Sequence, residues 1–370
     1  MKIAMFGHKR IPSREGGVEI VVEQLAARMV GQGHSVTCYN RAGHHVSGAA
    51  FDTRRLSAYR GIRLRTVPTL DKKGLAAVTS SLFAALCAAF SGAEVVHIHA
   101  EGPALFCWLP KLAGKRVVVT VHGLDWQRSK WKGGFAAKYI RLGEKAAVRF
   151  ADRIIVLSRN VQRYFLDTYG RETVHIPNGV ELPERREPEE ILRLGLEKDG
   201  YILFLGRLVP EKCPDLLIRA WKSAGTGKKL VIAGGASDSE AYLEMLRTLS
   251  GDDPDIVFTG FVQGRLLEEL YSNAYLYVLP SELEGMPLTL LEAMSYGNCC
   301  LVSDIPECTE VVDGHALTFR TGEERELTEK LQRLSREPDT VAELRADARE
   351  HMSRAYHWDE VTKKTLELYQ

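Results

Sequence analysis

The residues from Ser281 to Met294 set two carboxylates, Glu284 and Glu292, around the start of an apolar helix. They follow an apolar run, Ala274 to Pro280, that reads as a buried strand. Pro287 suits the first turn of a helix, where its missing N–H costs nothing and its φ is already set. The helix it opens is apolar nearly all round (Leu288, Leu290, Leu291, Ala293, Met294), with Glu292 the exception. A buried ionisable group is costly without a partner. The free N–H groups of residues 286–289, spanning Met286, Pro287, Leu288 and Thr289, form a seat for phosphate at a helix N-terminus. With Glu284 beside that seat and Glu292 deeper, the chemistry is that of a pocket for a phosphorylated polyol. On one continuous helix the two carboxylates would stand about 12 Å apart along the axis. They therefore address two parts of one ligand, and the close pair of a retaining glycosidase, about 5 Å apart, is disfavoured.

Other loops add cations and donors. Gly206-Arg207-Leu208-Val209-Pro210-Glu211-Lys212 follows the apolar run 201–205. From there Arg207 and Lys212 can neutralise a diphosphate leaving group, one as a fork and the other as a point charge. The competing reading is two solvated cations, with Glu211 as a plain ion-pair partner. Gly16-Gly17 stands between the first strand and the first helix, flanked by Lys9, Arg10 and Arg14, and allows close backbone approach to an anion. No G-x-G-x-x-G is present, which counts against a nicotinamide enzyme. His122 closes the run 117–121 and can donate to a sugar hydroxyl or a developing charge, unless neighbouring backbone satisfies it. His97 and His99 share one strand face without a third and fourth metal ligand, so they read as core or pocket-wall residues. Glu101 and Asp125, near the same edge, are candidates for the acceptor side.

Strand and helix signals that place these loops alternate from end to end. Strands are expected at 2–6, 35–39, 62–67, 95–99, 117–121 and 154–157, then again at 201–205, 229–233, 256–259, 275–279 and 300–303. Helices are expected from about 17, and at 214–223, 239–250 and 265–271. This is the βαβ rhythm of doubly wound parallel sheets, whose ligands lie at the C-terminal strand edges. Pro177-Asn178-Gly179-Val180 is turn chemistry and the charged, Pro-flanked run 184–190 follows, which puts a domain boundary at residues 178/179.

Composition bounds the partners. The 370 residues suffice for two domains, and a net charge of +1 conceals opposite halves. Up to Gly179 there are 27 Lys and Arg against 12 Asp and Glu, and beyond it 22 against 36. A basic half suits anionic lipid or lipid phosphate. The stretch Arg128, Lys130, Lys132, Lys138, Arg141, Lys145 and Arg149, with Trp126 and Trp131, can lie on a membrane, against the plainer reading of a solvated face. Nucleic acid is disfavoured, since no binding module is recognisable. Seven Cys, without a C-x-x-C pair, fit a reducing cytosol. The opening residues read as a strand and not as a signal peptide. Residues 74–90 read as an amphipathic helix packed through Leu75, Val78, Leu82, Phe83, Leu86 and Phe90, being short for a span.

Together, Glu284-x7-Glu292, Gly206–Lys212, Pro177–Val180 and the Gly-Gly first loop resemble family 4 of the retaining GT-B glycosyltransferases. The similarity covers nearly the whole chain. Residues 8–19 and 120–131 look like a bacterial subgroup that makes cell-surface polysaccharides and includes rhamnosyl-, galactosyl- and glucosyltransferases. The resemblance implies two Rossmann-like domains facing across a cleft. These are an acceptor-side domain 1–178, with residues 355–370 crossing back to it, and a nucleotide-sugar domain 179–354. It implies that Glu292 holds the ribose, that Glu284 touches the donor sugar near the reacting centre, and that amides around Met286–Thr289 hold hydroxyls or phosphate. Arg207 and Lys212 would neutralise the diphosphate, while His122 and Gly17, with Gly16, line the reaction centre. No metal and no cofactor are implied. Met286 stands where Phe is common in the family, and Asn298-Cys299-Cys300 replaces a Pro-Val-Val-type strand entry, so the sugar is left open.

The expected function is transfer of a hexose or deoxyhexose from a nucleoside-diphosphate sugar to a lipid-linked glycan, in the cytoplasm and peripherally on the inner face of the plasma membrane. The rivals are a GT-B-shaped nucleotide-sugar epimerase and a non-catalytic nucleotide-sugar sensor. A phosphorylase lacks an identified pyridoxal lysine.

Overall fold

The structure is a computed structural model that describes residues 1–43, 56–70, 72, 74–128, 134–236 and 240–370. Lys130, Trp131 and Lys132, and most of the His- and Arg-bearing loop expected after the second strand, lie outside the described residues. The chain divides into two compact units, Met1–Gly179 with Trp358–Gln370, and Val180–His357.

In the first unit the elements run β1 (Lys2–Phe6), α1 (Gly17–Gly31), β2 (Ser35–Arg41), β3 (Ala58–Tyr59), β4 (Ile62–Val67), α2 (Leu75–Ala89) and β5 (Val95–His99). There follow α3 (Glu101–Ala104), α4 (Trp108–Leu112), β6 (Arg116–Val121), α5 (Phe135–Phe150), β7 (Arg153–Val156), α6 (Arg159–Tyr169) and β8 (Val174–His175). The eight-stranded sheet has the order β3-β4-β2-β1-β5-β6-β7-β8 and is parallel except for β3 against β4. The Val-rich run of β6 is buried on both faces, as a central parallel strand must be.

The second unit holds β9 (Tyr201–Leu205), α7 (Pro214–Ala224), β10 (Lys229–Ala233), α8 (Glu240–Ser250), β11 (Ile256–Gly260), α9 (Gly264–Asn273) and β12 (Leu276–Leu279). It continues with α10 (Leu288–Ser295), β13 (Cys300–Ser303), α11 (Pro306–Val312), β14 (Leu317–Phe319), α12 (Glu324–Arg336) and α13 (Pro338–Ala355). Its six parallel strands lie in the order β11-β10-β9-β12-β13-β14, the doubly wound 3-2-1-4-5-6 pattern. Both units are thus the Rossmann-like α/β domains expected from the strand rhythm, with β3, β8, β14 and the helices α12 and α13 as additions.

The last helix, α14 (Trp358–Glu367), belongs to the first unit. There Asp359 accepts from Arg28 Nε at 2.9 Å, and Tyr369 Oη lies 2.6 Å from His97 Nδ1.

Helix α2 corrects the expected packing face. Its buried side is Ser80, Ser81, Ala84, Ala85, Ala88 and Ala89, whereas Leu75, Phe83 and the following Phe90 are exposed. Small residues let the helix lie close to its neighbours, and that close approach outweighs burial of the larger side chains. No helix among the described residues is long and apolar enough to cross a membrane.

A similar close approach joins α3 to α5. A Cβ on Gly143 would stand 1.9 Å from the carbonyl oxygen of Glu101. Gly143→Ala should therefore destabilise the first unit by about 2 kcal/mol through forced separation of the helices, read as a lowered urea midpoint.

Candidate active site

In a doubly wound sheet the loops leaving the two central strands splay apart and open a crevice at the point where strand order reverses. In the second unit those strands are β9 and β12, hydrogen-bonded neighbours, followed by Gly206–Lys212 and Pro280–Pro287. The sequence motifs thus meet although they are far apart along the chain. Lys212 Nζ lies 2.7 Å from Glu284 Oε1, which also accepts from Ser281 Oγ at 2.7 Å. The Lys212 and Glu284 side chains are 11% and 9% exposed. The Glu282 amide donates to the Glu211 carbonyl at 2.9 Å and ties the two loops together. Gly206 leaves room for the stem of Lys212, whose Cδ would be 3.2 Å from a Cβ there. Gly234, at φ +147°, lets the neighbouring loop cross so close that its Cβ would stand 1.7 Å from the Gly206 oxygen.

The Lys212 ammonium, for which the sequence suggests a diphosphate, is engaged in the structure by Glu284 at the strand edge. Arg207, half-buried, stays on the same loop.

Helix α10 begins at Leu288, so Pro287 is its N-cap and not its first residue, with extended backbone at φ −74° and ψ 102°. The Pro287 carbonyl accepts from the amides of Leu290 and Leu291 at 3.0 and 3.2 Å. Having no N–H, Pro287 drops out of the expected amide seat. Leu288 and Thr289 are the first amides of the helix, with Met286 preceding the cap. Glu292 is half-buried and accepts from Tyr271 Oη at 3.1 Å. Burial raises the Tyr271 hydroxyl well above its ordinary pKa, so it remains a donor. Tyr271 stacks on Tyr296 with ring centroids 5.2 Å apart. No sequence signal singled out Tyr271, which lies within an ordinary helical pattern.

In the first unit Gly16 is the extended N-cap of α1 and Gly17 its first residue. Glu19, buried on the same helix, accepts from the Lys9 amide at 2.8 Å and closes the loop. A Cβ on Gly16 would meet Glu19 Oε2 at 2.5 Å, so glycine there serves the loop itself. His8 Nε2 lies 2.9 Å from Asn40 Oδ1. Asn40 donates to the Ile11 carbonyl and accepts from its amide, which makes His8 Nε2 the donor.

Register places His99 against Thr120, and His122 follows just past β6. His122 Nε2 then lies 3.1 Å from His99 Nδ1. Burial lowers His122 to about 4, so it acts near neutral pH as an uncharged imidazole. His97 is buried between Thr120 Oγ1 at 2.7 Å and Tyr369 Oη, a satisfied core residue held down to about 3 by burial. Among the described residues no group of three or more His, Cys, Asp or Glu could hold a metal. Glu101 does not face an acceptor: it is buried and its Oε2 accepts from the Asp125 amide at 2.9 Å. Asp125 in turn accepts from Arg128 Nε at 2.7 Å.

Residues 187–351 match the family described as "Glycosyl transferases group 1", and residues 15–184 match "Glycosyltransferase Family 4". A D-inositol 3-phosphate glycosyltransferase from Gordonia bronchialis is 26% identical, covering 96% of this chain and 83% of its own. Sucrose-phosphate synthase from Thermosynechococcus elongatus superposes with a TM-score of 0.81 at 20% identity, over 100% of this chain and 98% of that one. Anabaena HepE, solved with UDP and glucose, gives 0.82 at 19% identity, over 99% and 98%.

The Lys212–Glu284 pair has a measurable signature. Lys212→Met or Glu284→Gln alone should cost about 3 kcal/mol, because each strands a largely buried charge. The double variant should cost well under twice that, measured as a double-mutant cycle in urea.

Proposed function

We propose that the chain, whose two halves match glycosyltransferase families, is a GT-B glycosyltransferase that moves a hexose or deoxyhexose, with retention, from a nucleoside-diphosphate sugar to a lipid-linked glycan of a cell-surface polysaccharide. The observation that carries this reading is the meeting of Glu284, Lys212 and the start of α10 where the strand order of the second unit reverses. The relative solved with UDP and glucose supports a nucleotide-sugar donor.

In this reading Glu292, oriented by Tyr271, holds the ribose hydroxyls. Arg207 and the first amides of α10 receive the diphosphate with Met286 and Pro287 shaping the pocket wall, and Lys212 holds Glu284 toward the sugar. Preorganised cations and helix amides of this kind stabilise charge on a departing phosphate without reorganising. His122, neutral, donates to or accepts from a sugar hydroxyl, and Gly16 and Gly17 allow close approach on the acceptor side. Rhamnose is one of the sugars this reading admits.

Glu284→Gln should lower turnover about a hundredfold or more while nucleoside-diphosphate affinity changes little, because the lost contact is to the reacting sugar. Equal losses in both would remove Glu284 from the reaction centre. The donor is found by measuring nucleoside diphosphate released from a panel of nucleotide sugars with a lipid-linked acceptor. Conversion of the sugar without acceptor would favour an epimerase instead.

Peripheral membrane binding is supported by α5. Its outward side carries Phe135, 87% exposed, and Leu142 among exposed Lys138, Arg141, Lys145 and Arg149. Each basic residue near an anionic surface contributes about 1 kcal/mol. Binding to phosphatidylserine vesicles should be strong at low salt, fall as salt rises, and weaken in Phe135→Ser/Lys138→Glu. No sedimentation with vesicles at low salt would end the membrane reading.

A further inference from the structure

Glu101 of α3 and Glu144 of α5 place two carboxyls, 1% and 0% exposed, inside the first unit. Gly143 is what lets α5 come this near to α3. The two carboxyls lie within hydrogen-bonding reach of each other. One oxygen of each has donors: Glu101 Oε2 takes the Asp125 amide, and Glu144 Oε1 takes the hydroxyls of Tyr164, at 2.9 Å, and Tyr169. The other oxygens, Glu101 Oε1 and Glu144 Oε2, are buried without a donor if both groups are ionised. Two buried like charges with unmet lone pairs are strongly disfavoured. A single proton between them removes one charge and supplies the missing hydrogen bond.

We propose that Glu101 and Glu144 share one proton, and that this pair is a positioning device holding the turn at residues 124–128, and with it His122, at the end of β6. The second part rests on His122 being a site residue. Glu101 grips the turn by the Asp125 backbone, and Asp125 acts electrostatically on His122. The same turn is gripped by Arg141 of α5, 4.0 Å above the Trp126 ring, and by Tyr164 of α6, 6.3 Å from it. Titratable groups facing the pair are Asp125 from the turn and Tyr164 and Tyr169 from α6; beyond them stand Arg128 on Asp125, Tyr139 beside Gly102 and Arg141 near Tyr169. The cations among them are engaged, Arg128 by Asp125 and Arg141 by Trp126.

Burial first, and the neighbouring Glu144 and Asp125 next, hold the Glu101 carboxyl well above the usual range. The stability that its neutral form contributes is complete below the ordinary Glu range and is lost as pH rises through the raised value.

The test uses Glu101→Gln, which keeps the shape, donates an amide N–H to Glu144 and accepts from Asp125, yet carries no titratable proton. The urea midpoint and kcat are followed against pH for the wild type, Glu101→Gln and Glu101→Ala. The wild type should lose both on the alkaline side. Glu101→Gln should hold neutral-pH turnover within about threefold and lack that loss, while Glu101→Ala drops kcat about tenfold or more with little change in donor KM. If Glu101→Ala does not fold, Glu144→Gln replaces it and should also abolish the alkaline loss. Profiles of Glu101→Gln that track the wild type, or a Glu101→Gln as impaired as Glu101→Ala, would overturn the proposal. If His122→Asn leaves kcat unchanged, the reading of His122 falls, and the urea profiles still decide the shared proton.

Discussion

The second unit depends on the reversal of strand order between β9 and β12. Parallel strands need crossovers, and two crossovers that leave in opposite directions cannot both cover the end of the sheet between them. The uncovered edge is where Gly206–Lys212 and Pro280–Pro287 lie, and it brings a cation and a carboxylate from separate motifs to 2.7 Å. The glycines at 206 and 234 serve the same edge, Gly234 because backbone crosses backbone there and Gly206 because the Lys212 stem passes beside it.

The two units handle buried polarity differently. In the second, charge is retained and paired, Lys212 with Glu284, and a tyrosine hydroxyl is turned to Glu292. In the first, burial works against charge: His8, His97 and His122 are held neutral, and the Glu101 carboxyl is pushed well above the usual range. An imidazole held neutral can accept a hydrogen bond as well as donate one.

Strands were legible because buried parallel strands are continuous apolar runs, and the eleven expected segments from 2–6 to 300–303 all appear within a residue or two of their observed bounds. The loops after β9, β12 and β6 were legible because Gly, Arg, His and Glu directly after such runs leave few places to go. Pairing was not. Nothing local in the sequence tells Lys212 that Glu284 is its neighbour, since sheet order makes them so. Glu144 drew no notice in the sequence, because helical spacing alone gives no sign that Gly143 brings that turn against α3. Helix α2 misled for a related reason. Hydrophobicity ranks Phe and Leu above Ala, but the space between helix and sheet selected the small face.

The first unit is completed by Trp358–Gln370, with Tyr369 bonded to the buried His97. These residues are synthesised after the whole of the second unit. On the ribosome, therefore, the earlier-made sheet waits with part of its core uncovered while the later-made one can close on its own. The core of the first unit is therefore complete only when the last residues of the chain have been made.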